Sequence, residues 1–357
     1  MNTPQFSHSR LCIIVALRSE DTLGTAGSSP VSLRCVGTVA MGNPDPALVI
    51  GQDECVYIPT GGVLPAGADA AVMVEHVAVA GDSVLIRKPV AHGENVLFRD
   101  DDFRKGETVL TSGRRLMPQD AGFLSACGCT NVPVVKRPVI GIISTGNELI
   151  PATMTPGPGQ IRDANAPMLA AWLREYGCEA RMYGIARDER GAFEALIARA
   201  LPECDAILIS GGSSKDDRDM TARIIAEQGE VLVHGIALAP GKPTIIGKIA
   251  GTPAFGLPGH PGAAFVVLIT IVRPFIDAML GLTQPVILTT RATLAENIPS
   301  QKGREEYVRV RLDRNVATPI FGKSGLLNTL VKSNGLVRIP SGAEGLEKGS
   351  EIEVQLW

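Results

Sequence analysis

The amino-acid sequence predicts a multidomain α/β plus β protein. A doubly wound α/β domain stands at the centre, a small β domain precedes it, and a β-barrel-like domain follows. Three observations carry this expectation. A chain of 357 residues exceeds one ordinary hydrophobic core. Residues 139–280 alternate short apolar runs with stretches of helical length. The 39 glycines and 25 prolines call for many turns, and so for a good share of β structure.

The elements follow in order. Residues 1–30 show no clear periodicity: the first ten read as an unstructured start, and Gly24-Thr25-Ala26-Gly27-Ser28-Ser29-Pro30 reads as a loop. Residues 31–88 hold β-like runs such as Leu33-Arg34-Cys35-Val36-Gly37-Thr38-Val39 and Ala70-Ala71-Val72-Met73-Val74, separated by turns, and form the small β domain. In 89–137 the charge rises at Arg99-Asp100-Asp101-Asp102, and a helix is expected over 118–127 with Pro118 in its first turn and Gly128 at its end. The α/β domain spans 138–283. Its expected strands are 139–144, 181–185, 206–209, 231–238, 244–249 and 252–256, and its helices are 166–176, 191–201, 220–228 and 262–280. Residues 284–357 return to strands, with Tyr307-Val308-Arg309-Val310-Arg311-Leu312 alternating and Glu351-Ile352-Glu353-Val354 closing the chain.

Composition narrows the function. A net charge of −3 without a long basic run argues against a nucleic-acid grip, while leaving room for one small anion in a local pocket. The seven cysteines are scattered, and Cys127-Gly128-Cys129 has no second pair to complete a zinc site; free thiols of a reducing cytoplasm are the expectation. The apolar run Leu11 to Leu17 is too short to span a membrane, and the run from Ala263 to Leu280 is broken by Arg273-Pro274, so it reads as a core helix. A cytoplasmic protein with no membrane contact is expected.

The chemistry concentrates in residues 205–261. Ser210-Gly211-Gly212-Ser213-Ser214-Lys215-Asp216-Asp217-Arg218-Asp219, Ala239-Pro240-Gly241-Lys242-Pro243 and Leu257-Pro258-Gly259-His260-Pro261 each adjoin an apolar run. Such turns present backbone N–H groups, a lysine and carboxylates to an anion at the ends of strands. Asp219 as an ordinary helix cap is the plain alternative, but a cap needs one acid, and Asp216, Asp217 and Asp219 lie within four positions. Clustered carboxylates repel without a cation, which points to Mg²⁺. Ser144-Thr145-Gly146-Asn147-Glu148 repeats the pattern at an earlier strand end, with Glu148 either a metal ligand or a solvated loop acid. Asp163 and Asn165 precede a helix, where capping is the default, and Asp188 reads as a turn residue. Lys242, in a rigid turn, suits an anion as a point charge. His260 reads as a neutral hydrogen-bonding group, and Thr60 and Asp69 read as turn residues.

Taken together and in order, these pieces resemble the molybdopterin molybdenumtransferase family, the molybdenum insertases of molybdenum-cofactor biosynthesis. The resemblance runs from about Glu20 to Trp357. It is carried by Ile58-Pro59-Thr60-Gly61-Gly62, Gly67-Ala68-Asp69, residues 95–106, Ser144-Thr145-Gly146-Asn147-Glu148-Leu149, Asp163-Ala164-Asn165, Ser210-Gly211-Gly212, Pro240-Gly241-Lys242-Pro243 and Leu257-Pro258-Gly259. Asn297-Ile298-Pro299-Ser300, Gly303-Arg304-Glu305-Glu306 and Phe321-Gly322-Lys323-Ser324-Gly325 complete it. The resemblance implies four domains in a homodimer, and a reaction of adenylylated molybdopterin with molybdate, dependent on Mg²⁺, yielding molybdenum cofactor and AMP. It implies Glu148, Asp188 and Asp219 around pyrophosphate and Mg²⁺, and Lys242 with the Gly211-Gly212 amides on phosphate; the acidic cluster itself adds Asp216 as a further candidate metal ligand. Thr60 and Asp102 would act from the partner subunit. Ser144, Thr145, Gly146, Asp163, Asn165, Ser213, Pro240, Gly241, Pro258 and Gly259 would line the pterin site. A molybdopterin adenylyltransferase and the recipient molybdoenzymes are implied as partners.

The chain departs from the family at Ala239, where a lysine is usual, at His260, which replaces an asparagine, at Asn147 and at Asp216. Ahead of Arg18 the resemblance stops: Leu11-Cys12-Ile13-Ile14-Val15-Ala16-Leu17 stands where the family has a Met-Asp-Gly-Tyr-Ala-like motif after a helical segment. A truncated or frameshifted start is expected, with 1–30 and 89–137 the remnant of a mixed helical first domain. Two other functions stay open: a molybdopterin carrier without catalysis, and a molybdopterin adenylyltransferase, suggested by Arg218-Asp219-Met220-Thr221.

Overall fold

The computed structural model describes residues 13–357 except 27–28, 44, 188, 212–214 and 284–286; for Ile13 and residues 215–219 it describes the backbone only. The chain forms two compact units, Met1–Val109 and Leu110–Trp357.

The first unit is built on a six-stranded sheet in the order Ala70–Met73, Ile13–Leu17, Glu54–Pro59, Val31–Thr38, Ser83–Ile86, Val77–Ala80. Successive side chains point to opposite faces of a strand, so two cores form. Val15, Leu17 and Cys55 pack with Leu33 and Val72 on one side, and Ala16, Val56 and Ile58 pack with Val39 and Ile50 on the other. The run at Ile13–Leu17, grouped from sequence with a remnant domain, is an inner strand here. It is antiparallel to both Glu54–Pro59 and Ala70–Met73. Burial on both faces removes the polar alternation that would have identified it as a strand.

The second unit holds the α/β domain and the barrel. Its α/β sheet has the order Glu179–Ala186, Val139–Thr145, Ala206–Ser210, Thr252–Leu257, Ile245–Ile249, Gly229–His234. The first four strands are mutually parallel, and Ile245–Ile249 is antiparallel to both its neighbours. Every residue of Val139–Thr145 and Ala206–Ser210 is buried, which explains their unbroken apolar character. Helix Asn165–Tyr176 covers one face together with the 261–279 helix, through Leu169, Leu173, Phe265, Ile269 and Ile276. Helices Arg190–Ala200 and Lys215–Gln228 cover the other, through Phe193, Ile197, Ile224 and Ile225. Connections from the adjacent strands Val139–Thr145 and Ala206–Ser210 therefore leave toward opposite faces. That is a topological switch point, where the carboxyl ends of the strands open a crevice.

Two expectations are corrected. Helix Lys215–Gln228 begins earlier than predicted, so residues 216–219 are helical and Asp219 is not an N-cap. The strand expected over 231–238 ends at His234, and Leu238–Ala239 instead pairs with a strand of the barrel. The core helix expected over 262–280 is present: helix Pro261–Val267 passes through the π-helical segment Leu268–Val272 into Arg273–Met279, so Arg273-Pro274 interrupts the apolar run without ending the helix. A π turn absorbs the proline's missing N–H and bulk. By length and composition this stretch, Pro261–Met279, could cross a membrane, yet most of it is buried in the protein.

The C-terminal domain is a closed five-stranded barrel of Thr289–Leu294, Glu305–Asp313, Val316–Pro319, Gly335–Ile339 and Glu351–Leu356. The pairing of Glu305–Asp313 with Gly335–Ile339 closes it. Its core is Ala292, Leu294, Val310, Ala317, Val337, Ile339 and Val354.

Candidate active site

The crevice at the switch point is walled by two strand ends. Thr145 and Ser210 are almost wholly buried there, and Gly211 follows immediately. A β-carbon at Gly211 would lie 2.8 Å from Thr145 Oγ1, so only glycine lets the two strand ends approach this closely. Gly146 has φ +146°, and a β-carbon there would fall 2.6 Å from a Glu148 carboxylate oxygen. The glycine thus leaves a cradle in which the Glu148 carboxylate rests against the main chain.

Hydrogen bonds tie the ends of separate elements together. Ser144 Oγ donates to Asp163 Oδ2 at 2.6 Å, while Asp163 Oδ1 accepts the Ala166 N–H at 3.1 Å and caps the helix. Asn165 Nδ2 donates to Ser210 Oγ and to the Gly259 carbonyl, both at 2.8 Å. One carboxamide therefore fixes a helix start, a strand end and the Pro258-Gly259-His260 turn. Among the described residues, Thr145 Oγ1 and Asn165 Oδ1 are buried and have no hydrogen-bond partner. Buried polar atoms of that kind are rare, and a bound polar ligand is one way they are satisfied.

The crevice has two connected halves. One, of about 400 Å³, is lined by Thr145, Glu148, Asp163, Asn165 and Ser210. The other, of about 270 Å³, is lined by Pro240, Gly241, Lys242, Pro258, Arg304 and Ser324. Gly211, Gly259 and His260 belong to both. The barrel reaches the second half because Leu238–Ala239 pairs in parallel with Glu305 and Glu306, next to the cis Ala239-Pro240 bond. Arg304 and Ser324 stand in two of the C-terminal motifs quoted above but were given no site role from sequence; the non-local pairing brings them to the crevice. Arg304 Nε is buried without a partner among the described residues, and its nearest carboxylate, Glu306, lies at 3.9 Å and already accepts Ser300 Oγ. Behind it Arg309 donates to the Gly322 carbonyl at 2.9 Å, and burial lowers its pKa from the ordinary value.

The predicted residues distribute as follows. Glu148, Ser144, Thr145, Gly146, Asp163, Asn165, Gly211, Pro240, Gly241, Lys242, Pro258 and Gly259 stand in or beside this crevice. Asp188, Gly212 and Ser213 lie outside the described residues, as do the side chains of Asp216 and Asp219. Thr60 and Asp102 belong to the first unit, Thr60 in the turn after Glu54–Pro59 and Asp102 exposed. No group of three or more metal-ligating side chains occurs among the described residues.

Fold and crevice together define a doubly wound α/β domain with a ligand crevice at its switch point, preceded in sequence by a β domain and followed by a barrel. A family profile described as "Probable molybdopterin binding domain" matches residues 141–278. Profiles for the MoeA N-terminal region (domains I and II) and the MoeA C-terminal region (domain IV) match 15–128 and 291–357. A putative molybdopterin biosynthesis protein of Methanocaldococcus jannaschii is 34% identical over 96% of this chain and 83% of its own. A molybdopterin molybdenumtransferase of Staphylococcus aureus is 30% identical with the same coverage. Two solved structures of a molybdopterin biosynthesis MoeA protein from Pyrococcus horikoshii superpose with TM-scores of 0.75 and 0.81. They are 38% and 30% identical and cover 97% of this chain and 86% and 88% of theirs. The chain belongs to the MoeA family, the transferases of molybdenum-cofactor biosynthesis.

Proposed function

We propose that the protein transfers molybdenum from molybdate to adenylylated molybdopterin, with Mg²⁺, releasing AMP. The observation that carries this reading is the division of one crevice into a half that bears the carboxylates Glu148 and Asp163, with Arg162 on its wall, and a half whose charged side chains are the cations Lys242 and Arg304, the two sharing a seam. The cationic half offers Lys242 and Arg304 to a tetrahedral oxyanion, and the substrate molybdate is one. The other half offers buried, unpartnered acceptors at Thr145 and Asn165 to the polar edge of a pterin, and Glu148 to its phosphates through a cation.

Mg²⁺ takes oxygen ligands, and in phosphate-handling sites it is held by one or two carboxylates, by water and by the substrate's phosphates. The Gly146 cradle leaves the Glu148 carboxylate beside the crevice, which fits that donor set. Asp163 fits less well, because its two oxygens already bond Ser144 and Ala166. Glu148 would hold the ion with Asp219 and Asp216, and Asp188 would add a further carboxylate around the pyrophosphate. The ion would supply charge neutralisation at the phosphoanhydride. The protein's own residues do the rest: the strand ends and Asn165 hold the pterin, Lys242 and Arg304 hold the oxyanion, and the Gly211 main chain borders both. Thr60 and Asp102 are proposed to complete the site from the partner of a homodimer.

The test supplies the purified chain with adenylylated molybdopterin, molybdate and Mg²⁺ and measures AMP and molybdenum cofactor. Stoichiometric release of both, abolished by Lys242→Ala and by Glu148→Ala, is expected. Pterin binding without AMP release would refute catalysis.

A further inference from the structure

We propose that His260 binds the oxyanion substrate directly, its Nε2–H donating to a molybdate oxygen at the seam of the crevice while Ser324 holds the ring. This deepens the molybdenum-transfer reading and rests on it.

Three residues line both halves of the crevice, and two of them are Gly211 and Gly259. Among the described residues, then, His260 alone places a side chain where ligands of the two halves meet. Its main chain is fixed from both sides. Asn165 holds the preceding Gly259 carbonyl at 2.8 Å, and the His260 carbonyl accepts the N–H groups of Ala263 and Ala264 at 3.0 and 2.9 Å. Pro261 follows in the first turn of helix Pro261–Val267.

The ring is fixed as well. Its Nδ1 lies 2.9 Å from Ser324 Oγ, and the Ser324 carbonyl accepts the Gly262 N–H at 2.8 Å, so the serine is itself anchored to the turn it contacts. With the hydroxyl donating to Nδ1, the tautomer carries its proton on Nε2, and an oxyanion selects that arrangement. The residue is exposed at the crevice, a position that a purely structural histidine does not need. The charges around it agree: Lys242 and Arg304 line one of the two halves that His260 borders, while Ala239 on that wall contributes none. A tetrahedral dianion set against the two cations has an oxygen left to turn toward the seam.

The experiment is calorimetric titration of the full-length protein with sodium molybdate, using His260→Ala, His260→Gln, Ser324→Ala, the His260→Ala/Ser324→Ala double variant and Lys242→Ala. His260→Ala should weaken binding about tenfold, the lower end for one hydrogen bond to a charged group. His260→Gln, whose amide N–H can replace Nε2–H, should recover most of it. Ser324→Ala should cost less, and the double variant should be no weaker than His260→Ala, because the serine acts through the ring. If His260→Ala fails to fold, His260→Phe keeps a ring without the donor and takes its place. Unchanged affinity in the folded variant, or losses that add in the double variant, would overturn the proposal. Loss in Lys242→Ala with none in His260→Ala would overturn it while leaving the transfer function intact. Wild-type protein that binds no molybdate and releases no AMP would remove both.

Discussion

Asn165→Ala separates what holds the crevice in shape from what the crevice binds. The side chain is 7% exposed, Nδ2 makes two hydrogen bonds at 2.8 Å, and Oδ1 is buried with no partner among the described residues. Losing two neutral hydrogen bonds costs about 2 kcal/mol, at about 1 kcal/mol each. Removing a stranded carbonyl oxygen returns about 1–3 kcal/mol. The terms nearly cancel, so the free protein should change by about 1 kcal/mol in either direction, or about 2–4 °C for a unit of this size. Ligand binding should respond far more, because the vacant acceptor is lost and the Pro258-Gly259-His260 turn is released. Thermal unfolding of the Leu110–Trp357 unit, followed with and without adenylylated molybdopterin, measures both quantities at once. Ligand stabilisation follows the logarithm of ligand concentration over Kd, so each tenfold loss of affinity removes about 1.4 kcal/mol of it. A drop of more than about 10 °C in the free protein would show that Oδ1 is not stranded. An unchanged ligand-induced shift would show that Asn165 does not face the ligand.

Further outcomes are expected elsewhere. Gly146→Ala, with φ +146° and a β-carbon 2.6 Å from the Glu148 carboxylate, should displace that group and lower AMP release as far as Glu148→Ala does; near wild-type turnover would exclude Glu148 from the chemistry. Burial pushes the Cys55 thiol up to about 12 and the Cys178 thiol up to about 11, while Cys127 and Cys129 are exposed. A thiol reagent at pH 8 should therefore modify Cys127 and Cys129 first and reach Cys55 and Cys178 only in denaturant, as peptide mapping would show. Hydrogen bonds from Arg338 to Glu305 and from Tyr183 to Glu203 hold both carboxyls below the ordinary value. Their stabilising contribution is present above the unfolded-state pKa and is lost as pH falls through the folded one. Urea midpoints should thus stay level from pH 7 to 5 and decline below about pH 4, less steeply in Glu305→Gln.

Legibility in the sequence followed locality. The strands Val139–Thr145 and Ala206–Ser210 read correctly because a parallel strand buried on both faces is an apolar run bounded by turn residues. Ile13–Leu17 has the same character, but only the short 3-10 turn Ser19–Thr22 follows it in place of an α-helix, so its pairing with two distant strands is what shows what it is. The Lys215-to-Asp219 stretch read as loop because acids and a lysine follow Gly-Gly-Ser-Ser, yet carboxylates are favoured in the first turns of a helix and the helix begins there. Asp163 shows a third case: its capping role was legible, and its bond to Ser144, nineteen residues away, was not.

The cationic half of the crevice was the least legible part, for a reason that bears on how the protein works. Lys242 lies on a turn of the α/β domain, but Arg304 and Ser324 come from the barrel. They reach the turn because Leu238–Ala239, in the middle of an α/β sequence, leaves its own sheet to pair with Glu305 and Glu306. The other half draws its polar side chains from the α/β domain, among them Thr145, Glu148, Asp163, Asn165 and Ser210, while Gly325 and Leu327 of the C-terminal domain complete its wall. The side chains proposed to hold the pterin thus come from one domain, and those proposed to hold the oxyanion from two. Under the proposed function, the barrel is the part that turns a pterin-binding fold into one that also holds molybdate.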